Sequence, residues 1–473
     1  MTLRLVAALT AALLAAAPAL ADGPAPARIG LDAALSAAAD KNPRLRSGDA
    51  AVAAAEAERS QGRARYLPLL RVEGNVMVWH DELAVSFAGE GSGFDLAALP
   101  APGTPYEFVI SELLKGLSRP TVVRDQVTAE LSVSIIQPLT ALISMGDVHE
   151  LLDVGVTKAE LERAREGDAV ALQAATAWLQ ALQLSATIDT IDASLEQLDA
   201  QIARVDTLIA NDVAHRSDRL GLDVARAQLV QQRLQLEMGY KLACAGLAVS
   251  MGGSPSEPVA PSDPGVKPLP AIATTLEADV AFALERRPDT RLLSAALTQA
   301  RLATSVERDK HIPSVNAIAN YRHTEGSSFN AADAFFVGLM LQWDAWDWGA
   351  TGDGVDAAQA RAAQVARMEE AARAGVALEI EQRRLGYEAA VKALAVADRS
   401  IAQAEESLRL ETARFERGAA TVTDVIRAQT ALTSARASET TAYYQALLNR
   451  AQYLVAAGRP LDAAALFTGG QAQ

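Results

Sequence analysis

The sequence has few residues that bind metals or perform covalent chemistry. Its 473 residues include one cysteine and five histidines. Cys244 alone cannot form a disulfide framework or a cysteine-based metal site, and the histidines show no ligand spacing, so we predict no metal and no cofactor. No serine, histidine and aspartate arrangement suggests a nucleophile, and the glycine-rich run at 349–354 lacks the lysine of a phosphate loop. We therefore predict a protein that is not an enzyme.

An excess of basic residues and a high aromatic content are also missing. The net charge is −15, which excludes the basic surface that nucleic-acid binding requires. Aromatic residues make up 5% of the chain, which favours long, closely packed helices over a large globular core. Prolines are absent from 139–254 and 314–459, so long helices can run through both stretches without interruption.

The N-terminal segment predicts export. Arg4 precedes an apolar run that is too short to span a bilayer, and small residues at Ala19 and Ala21 mark a cleavage site before Asp22. We interpret residues 1–21 as a signal peptide. No cysteine follows the predicted site, so we expect no N-terminal lipid. An uncharged stretch at 169–188 is long enough to cross a membrane, but its polar residues fall on one helix face, which favours a helix packed inside a helical assembly.

The rest of the chain is duplicated. Pro43 and Pro288 are 245 residues apart, as are Pro68 and Pro313, and matching positions further along recur at offsets of 205 and 206. We place the first repeat at 22–251 and the second at 271–458. Residues 252–270 hold six of the nineteen prolines and form a linker or extended strap, and 459–473 form a tail. An insertion near 80–119 occurs only in the first repeat, and we interpret it as a disordered loop.

Each repeat predicts two long helices. Apolar residues recur with a seven-residue period, as in Ile188, Ile191, Leu195, Leu198 and Ile202, which is the pattern of a coiled-coil seam. We expect Ser217 or Asp218 to cap one return helix and Thr423 or Asp424 the other, with Gly418 as a left-handed residue after the preceding helix. The predicted helices run over about 147–211, 218–250, 353–417 and 423–457.

Each repeat also predicts two strands, in which apolar and polar residues alternate. The four strands run over about 66–80, 122–137, 313–323 and 334–344. One apolar and one polar face suit a membrane β-barrel between lipid and a wet lumen. A half-buried sheet on a soluble core is the alternative for any single strand. Four strands cannot close a barrel, so insertion in a membrane requires oligomerisation. Trp343, Trp346 and Trp348 follow the last strand and suit either a membrane interface or a core.

The ordered set of these features resembles the TolC family of outer-membrane efflux and secretion channels over about residues 30–457. The features are the paired passages from helix to strand, QPL at 137–139, LQWDAWDWG at 341–349, and the turn segments 213–229 and 415–436. The resemblance implies a mixed α/β membrane protein, mostly α. It would be a homotrimer with a twelve-stranded β-barrel in the outer membrane, above a long periplasmic α-helical barrel, and the insertion would be an extracellular loop.

The resemblance also implies that the two turns close the channel and contact a periplasmic adaptor protein. The matching positions are Asp212, Val213, Ala214, Ser217, Asp218, Phe415, Arg417, Gly418, Ala419, Ala420, Thr421, Thr423, Asp424 and Arg427. Arg427 stands where some members carry a second aspartate, so the resemblance leaves open whether the aspartates at the turns bind cations. Asp212 stands where glycine is frequent, so we expect the backbone of the first turn to differ from that of the family. Plain helix capping is the alternative role for Asp218 and Asp424.

The predicted function is a passive exit duct in the outer membrane, extending into the periplasm. It would serve an inner-membrane transporter, either an efflux pump or an ABC transporter of a type I secretion system, through the adaptor. The main alternative is a periplasmic coiled-coil scaffold or adaptor without a pore; a periplasmic enzyme finds no site to support it. The exported substrate cannot be read from the sequence.

Overall fold

The computed structural model describes residues 27–85, 103–118, 121–211, 214–265, 268–328 and 331–468. The predicted signal peptide and the end of the tail lie outside these residues. Among the described residues there are ten helices: α1 Leu31–Lys41, α2 Pro43–Ala64, α3 Pro105–Ser118, α4 Ala141–Ala210, α5 Arg216–Ser250, α6 Leu276–Arg286, α7 Pro288–Asp309, α8 Ala350–Glu416, α9 Val422–Ala456 and α10 Ala463–Phe467. The strands are β1 Arg28–Ile29, β2 Leu69–Val78, β3 Leu83–Val85, β4 Thr121–Pro138, β5 Ala260–Pro261, β6 Ser314–Ser327 and β7 Asp333–Gln342.

The long helices begin and end within a few residues of the positions that the seven-residue pattern indicates. The helix predicted from 147 begins six residues earlier, at Ala141, and contains 70 residues. The helix predicted from 353 begins at Ala350 and contains 67. The two return helices, α5 and α9, contain 35 residues each, as expected for two copies of one design.

The chain divides into two compact units. The first contains residues 159–294 and 367–473 with the N-terminal residues up to 52. Its main core surrounds Trp178, whose side chain is 1% exposed and whose indole N–H donates to the carbonyl of Ile29 at 3.0 Å. Leu247, Leu447 and the ring of Phe467 pack in the same cluster. The uncharged stretch around Trp178 is therefore packed against other helices, and no helix of the described residues is apolar enough over a sufficient length to cross a membrane.

Both return helices of the first unit end in the same motif. At Gly252 and Gly458, which are 206 residues apart, φ is +79° and +68°. In each case the glycine and the next residue donate back to the last turn, as in Gly253 N–H to the carbonyl of Ala248 at 2.8 Å. The side chains of Asn42 and Arg287 then bind the carbonyls of the final helical residues, at 2.9 and 2.8 Å. Asn42 and Arg287 occupy matching positions in the two repeats, so two chemically different side chains bind the end of a return helix in the same way.

The linker is partly ordered by pairing. Within it, β5 pairs in parallel with β1, so that Arg28 lies opposite Ala260. The carbonyl of Pro270 accepts hydrogen bonds from the hydroxyl of Tyr387 at 2.6 Å and from the buried Arg450 at 3.2 Å. The proline-rich segment is thus fixed to the helices of the first unit by backbone groups, which is the behaviour of a strap.

The second unit contains residues 53–158 and 295–366 and carries an antiparallel sheet. The strands lie in the order β2–β4–β6–β7, with β3 pairing along an extension of β4. The pairing places Leu70 opposite Ile135 and Ile135 opposite Ala319. Apolar side chains on one face are exposed to between about half and four-fifths of their surface: Val72, Val76, Val78, Leu131, Phe335, Val337, Leu339 and Leu341. The predicted alternation is present, and the described residues leave this face uncovered.

Two expectations in the second unit need correction. We interpreted the insertion at 80–119 as a disordered loop, but it contains the strand β3 and the helix α3. A core position was one alternative for the three tryptophans after β7, but Trp343, Trp346 and Trp348 are 57%, 76% and 87% exposed. Trp348 also has a φ of +59°, which is unfavourable for a side chain of this size.

Candidate functional site

The first turn joins α4 to α5. Asp212 and Val213 lie outside the described residues. α5 begins after His215, so of the two predicted caps Ser217 lies inside the helix and Asp218 is its third residue. The carboxylate of Asp218 reaches back and accepts the backbone N–H of His215 at 2.9 Å. Asp218 therefore caps the helix from within it, and Ser217 does not cap it.

The second turn joins α8 to α9 and contains most of the predicted site. Gly418 has a φ of +70°, as expected for the residue that ends α8. The N–H of Ala419 donates to the carbonyl of Arg414 at 2.9 Å, which completes the same end motif as at Gly252. Arg417, Gly418 and Ala419 are exposed, and Ala420 is partly exposed.

Thr421 caps α9. Of the two residues that we expected to cap it, Thr423 lies inside the helix, and Asp424, the third helical residue, takes part in the cap. The hydroxyl of Thr421 accepts the N–H of Asp424 at 3.3 Å, and the carboxylate of Asp424 accepts the N–H of Thr421 at 3.0 Å. This reciprocal pair is a capping box. The hydrogen bonds from Thr421, assisted by the nearby charges of Arg427 and Arg414, lower the pKa of Asp424. Asp424 is therefore held as a carboxylate.

Arg427 lies one helical turn after Asp424. Its guanidinium is 3.5 Å from the Asp424 carboxylate, and its side chain is 76% exposed. The pair presents opposite charges on the same exposed surface of α9. The acidic character of this turn is thus partly cancelled within one chain.

The structure brings the two turns together over a shared apolar cluster. Leu198, Ile202 and Val205 of α4 pack with Leu222 of α5 and Val422 of α9, and Ala214 and Phe415 are partly buried against them. α5 and α9 lie side by side at Gly221, where an added Cβ atom would make an ordinary van der Waals contact with the side chain of Ile426 at 3.6 Å. Of the predicted site residues, Ala214 of the first turn and Phe415 of the second therefore lie in one apolar cluster.

A ladder of ion pairs joins α4 to α5 and was not predicted. Its rungs are seven residues apart on each helix: Arg219 with Asp206 at 2.9 Å, Arg226 with Asp199 at 2.6 Å, and Arg233 with Asp192 at 2.5 Å. The hydrogen bond from Arg226 lowers the pKa of Asp199. Seven-residue spacing on two antiparallel helices places such charges at the edges of the coiled-coil seam. The regular spacing of both residue types was the signal in the sequence.

Between α4, α8 and α9 there is an open groove of about 570 Å³. Its wall carries the pair Arg204 and Glu416 at 3.0 Å, together with Arg436 and Glu405 at 2.9 Å. Both pairs join different helices, and their side chains are partly exposed. The groove is wide open and is lined by polar and apolar side chains alike, a character that suits another helix better than a small molecule. Among the described residues no cluster of histidine, cysteine and carboxylate side chains could hold a metal ion.

Comparison with known proteins shows a family match over part of the chain and a shared fold over most of it. Residues 281–459 match the family described as outer membrane efflux protein. No curated protein matches the sequence significantly. The fold is similar to the crystal structure of VceC from Vibrio cholerae, with a TM-score of 0.70 and 15% identity over 91% of this chain and 97% of that one.

Two further channels have the same fold. CusC gives a TM-score of 0.73 with 14% identity, covering 92% of this chain and 93% of that one. The open state of the MtrE channel of Neisseria gonorrhoeae gives 0.66 with 16% identity, over 91% and 89%. The family match and the fold together confirm the predicted resemblance to the TolC family. The matched family consists of outer-membrane efflux proteins and not of enzymes.

Proposed function

We propose that this protein is a passive exit duct in the outer membrane. An inner-membrane transporter would drive the substrate through it. The observation that carries the proposal is the sheet of the second unit. Four long antiparallel strands present an apolar face that is exposed to solvent in the single chain. An exposed apolar surface of this extent marks contact with a membrane or a partner. Residues 281–459 match the family of outer membrane efflux proteins, which supports the outer membrane as the location.

The opposite face of the sheet supports a water-filled lumen. It carries Arg71 and Glu73 on β2, and Arg322 on β6 lies 3.9 Å from Glu130 on β4. Charged side chains on the lumen side and apolar ones on the lipid side are the pattern of membrane β-barrels.

The open edges of the sheet support a homotrimer. Among the described residues, β2 pairs only with β4 and β7 only with β6. In lipid an unpaired strand edge is costly, because its backbone groups find no water. Pairing of β7 in one chain with β2 in the next would satisfy both edges, and three copies of the four long strands would give a closed barrel of twelve.

The region of the two turns is proposed as the periplasmic gate and the adaptor contact. The small residues Gly418 and Ala419, which are exposed, and Ala420, which is partly exposed, allow another helix to approach. The groove beside Arg204 and Glu416 suits a helical hairpin, which is a frequent element of periplasmic adaptors. The transporter would be a proton-driven efflux pump or an ABC transporter, and the chain carries no feature that chooses between them. The proposed location requires export by the predicted signal peptide.

The test is to express the full chain, separate the membranes and measure the mass of the detergent-extracted protein. The proposal expects fractionation with the outer membrane and a mass of three chains. A water-soluble monomer or dimer in the periplasmic fraction would refute it and favour the scaffold alternative. Substituting Val337 and Leu339 by aspartate should prevent insertion, whereas aspartate at Ser132, on the polar face, should not.

A further inference from the structure

The polar face of the sheet carries two large apolar side chains that a wet lumen does not explain. Phe336 on β7 lies opposite Asn320, and therefore on the polar face. Met77 on β2 lies opposite Thr128, on the same face. The side chains of Met77 and Phe336 are 47% and 51% exposed. Leaving them in water is unfavourable, so they indicate a contact that the single chain lacks.

Both side chains lie on the open edges of the sheet. Among the described residues, β2 pairs only with β4 and β7 only with β6. The neighbouring positions on the central strands are polar, Thr128 beside Met77 and Asn320 beside Phe336. The edges are therefore apolar on the lumen side where the centre of the sheet is not, which points to another strand as the cover of each edge.

The register within the sheet limits how one copy can join the next. One row of paired residues runs from Leu70 across Ile135 and Ala319 to Val337. Barrel strands tilt, so on reaching the next copy this row must meet β2 at a position shifted from Leu70. The shift must be even, because an odd shift would pair the lipid face of one strand with the lumen face of the other. It must also run towards Val78, since β2 begins at Leu69.

The tilt leaves two values for the shift. Strands rise about 3.3 Å per residue and lie about 4.8 Å apart, so in a ring of three copies with four long strands each, a shift of four residues per copy gives a tilt of roughly 35° and a shift of six gives roughly 45°. Shifts of two and eight fall outside the tilt of about 35–45° that membrane barrels show. The side chains at the joint must therefore choose between four and six.

A shift of four residues mismatches the side chains. It would place Phe336 opposite Asn75 in the lumen. On the other face it would place the carboxylate of Asp333 opposite Val78, where a charge beside lipid is costly. Met340 meets a charged side chain of β2 with either shift, so it does not choose between them.

We infer that the copies join with a shift of six residues, which places Phe336 opposite the partner subunit's Met77. The inference rests on the proposed exit duct and specifies its joint. A methionine sulfur beside an aromatic ring is a favourable contact, and directly opposed side chains are the main source of stability between strands. Both apolar side chains then cover each other in the lumen.

The apolar face agrees with the same shift. Val337 lies opposite the partner subunit's Val76, and Phe335 opposite the partner subunit's Val78. Asp333 falls beyond the end of β2, outside the paired region. Four strands enclose no lumen by themselves, so each copy completes the wall of its neighbour.

Thiol cross-linking in the full-length protein tests this register. Cys244→Ala removes the only cysteine, and each variant then carries Phe336→Cys with one further cysteine on the lumen face of β2, at Met77, Asn75 or Glu73. A bifunctional thiol reagent that spans about 5 Å, the separation of directly opposed side chains, is added to the detergent-extracted protein. Within one chain β2 and β7 lie three strand spacings apart, about 14 Å, so the reagent reports only contacts between copies.

The expected result is a yield of covalent dimers and trimers that is highest with the cysteine at Met77, lower at Asn75 and absent at Glu73, because diagonal neighbours lie about 7–8 Å apart. A maximum at Asn75 or Glu73 would overturn the register. Absence of cross-links from every variant, in protein that has the mass of three chains, would overturn the joint between β7 and β2. A mass of one or two chains before cross-linking, also without the introduced cysteines, would refute the proposed trimer itself.

Discussion

Replacing Gly252 by alanine tests whether the turns that end the return helices depend on glycine, as the structure indicates. Gly252 has a φ of +79°, and a Cβ atom built there would lie 2.4 Å from the carbonyl oxygen of Lys41 and 2.9 Å from the nitrogen of Asn42. These are backbone atoms, and Asn42 is fixed by its hydrogen bond to the carbonyl of Ser250. The clash therefore cannot be relieved by rotation of a side chain.

The magnitude follows from three effects. The left-handed conformation costs an alanine roughly 1–2 kcal/mol, and overpacking against fixed atoms costs about 1–3 kcal/mol. The lower entropy of the unfolded chain returns about 0.5–1 kcal/mol. We expect the free energy of unfolding to fall by ~2–4 kcal/mol for Gly252→Ala. Gly246 provides a matched control inside α5, the helix that Gly252 follows, because a Cβ there meets nothing within 4 Å and alanine should stabilise the helix by about 0.5–1 kcal/mol.

The assay is thermal unfolding of the detergent-extracted protein, followed by circular dichroism at one fixed scan rate, because unfolding of such a protein is commonly irreversible. The Gly252→Ala variant should melt several degrees below wild type and Gly246→Ala at or above it. If both variants melt together, the close contact between the turn at Gly252 and Lys41 is not a feature of the folded protein and the reasoning fails.

Three further predictions follow, two on the turn before α9 and one on Trp348 between β7 and α8. Thr421→Ala should destabilise the first turn of α9 by about 1 kcal/mol and so speed amide exchange there about fivefold. Thr423→Ala should leave this exchange unchanged. Equal effects of the two substitutions would contradict the assignment of Thr421 as the cap. Because hydrogen bonds lower the pKa of Asp424 from its usual value of 3.8, this stabilisation is present above that value and is lost as the pH falls through the lower folded-state pKa. Asp424→Asn should remove that pH dependence from the exchange of the same amides, and its persistence would contradict the assignment. Trp348→Gly should relieve the unfavourable φ and raise the free energy of unfolding by up to about 1 kcal/mol, which a higher melting temperature would report. Trp346→Gly should give no such increase. A lower melting temperature for Trp348→Gly would contradict the prediction, because the indole would then stabilise the fold by more than the backbone conformation costs.

The elements with a strong period were predictable from the sequence. The seven-residue apolar period leads to the long helices, and the period of two leads to the four strands, because burial on one face selects residues at the repeat of the backbone. The residues that cap the starts of the return helices were less predictable. Thr421 and Thr423 are equally good caps by residue type, and only the path of the chain after Gly418 decides between them. His215 is an unusual cap, so the cap of α5 was predicted at Ser217 or Asp218 instead.

Other features depend on distances that no local pattern reveals. The clash that requires glycine at 252 involves Lys41, more than two hundred residues away. Helix α3 was missed because its short apolar pattern follows a glycine- and proline-rich segment that is typical of loops. The aspartates Asp192, Asp199 and Asp206 and the arginines of α5 also recur every seven residues. The prediction rested on the apolar residues of the seam and did not include these charges. The roles of Asp218, Asp424 and Arg427 in gating stay predictions.

The most direct test of the exit-duct account is single-channel recording from the purified protein in a planar lipid bilayer. The account predicts discrete conductance steps from a trimer, and a larger conductance or open fraction when Asp424→Ala loosens the start of α9. Protein that does not insert, or that inserts without discrete steps even after the turns have been loosened, would contradict it.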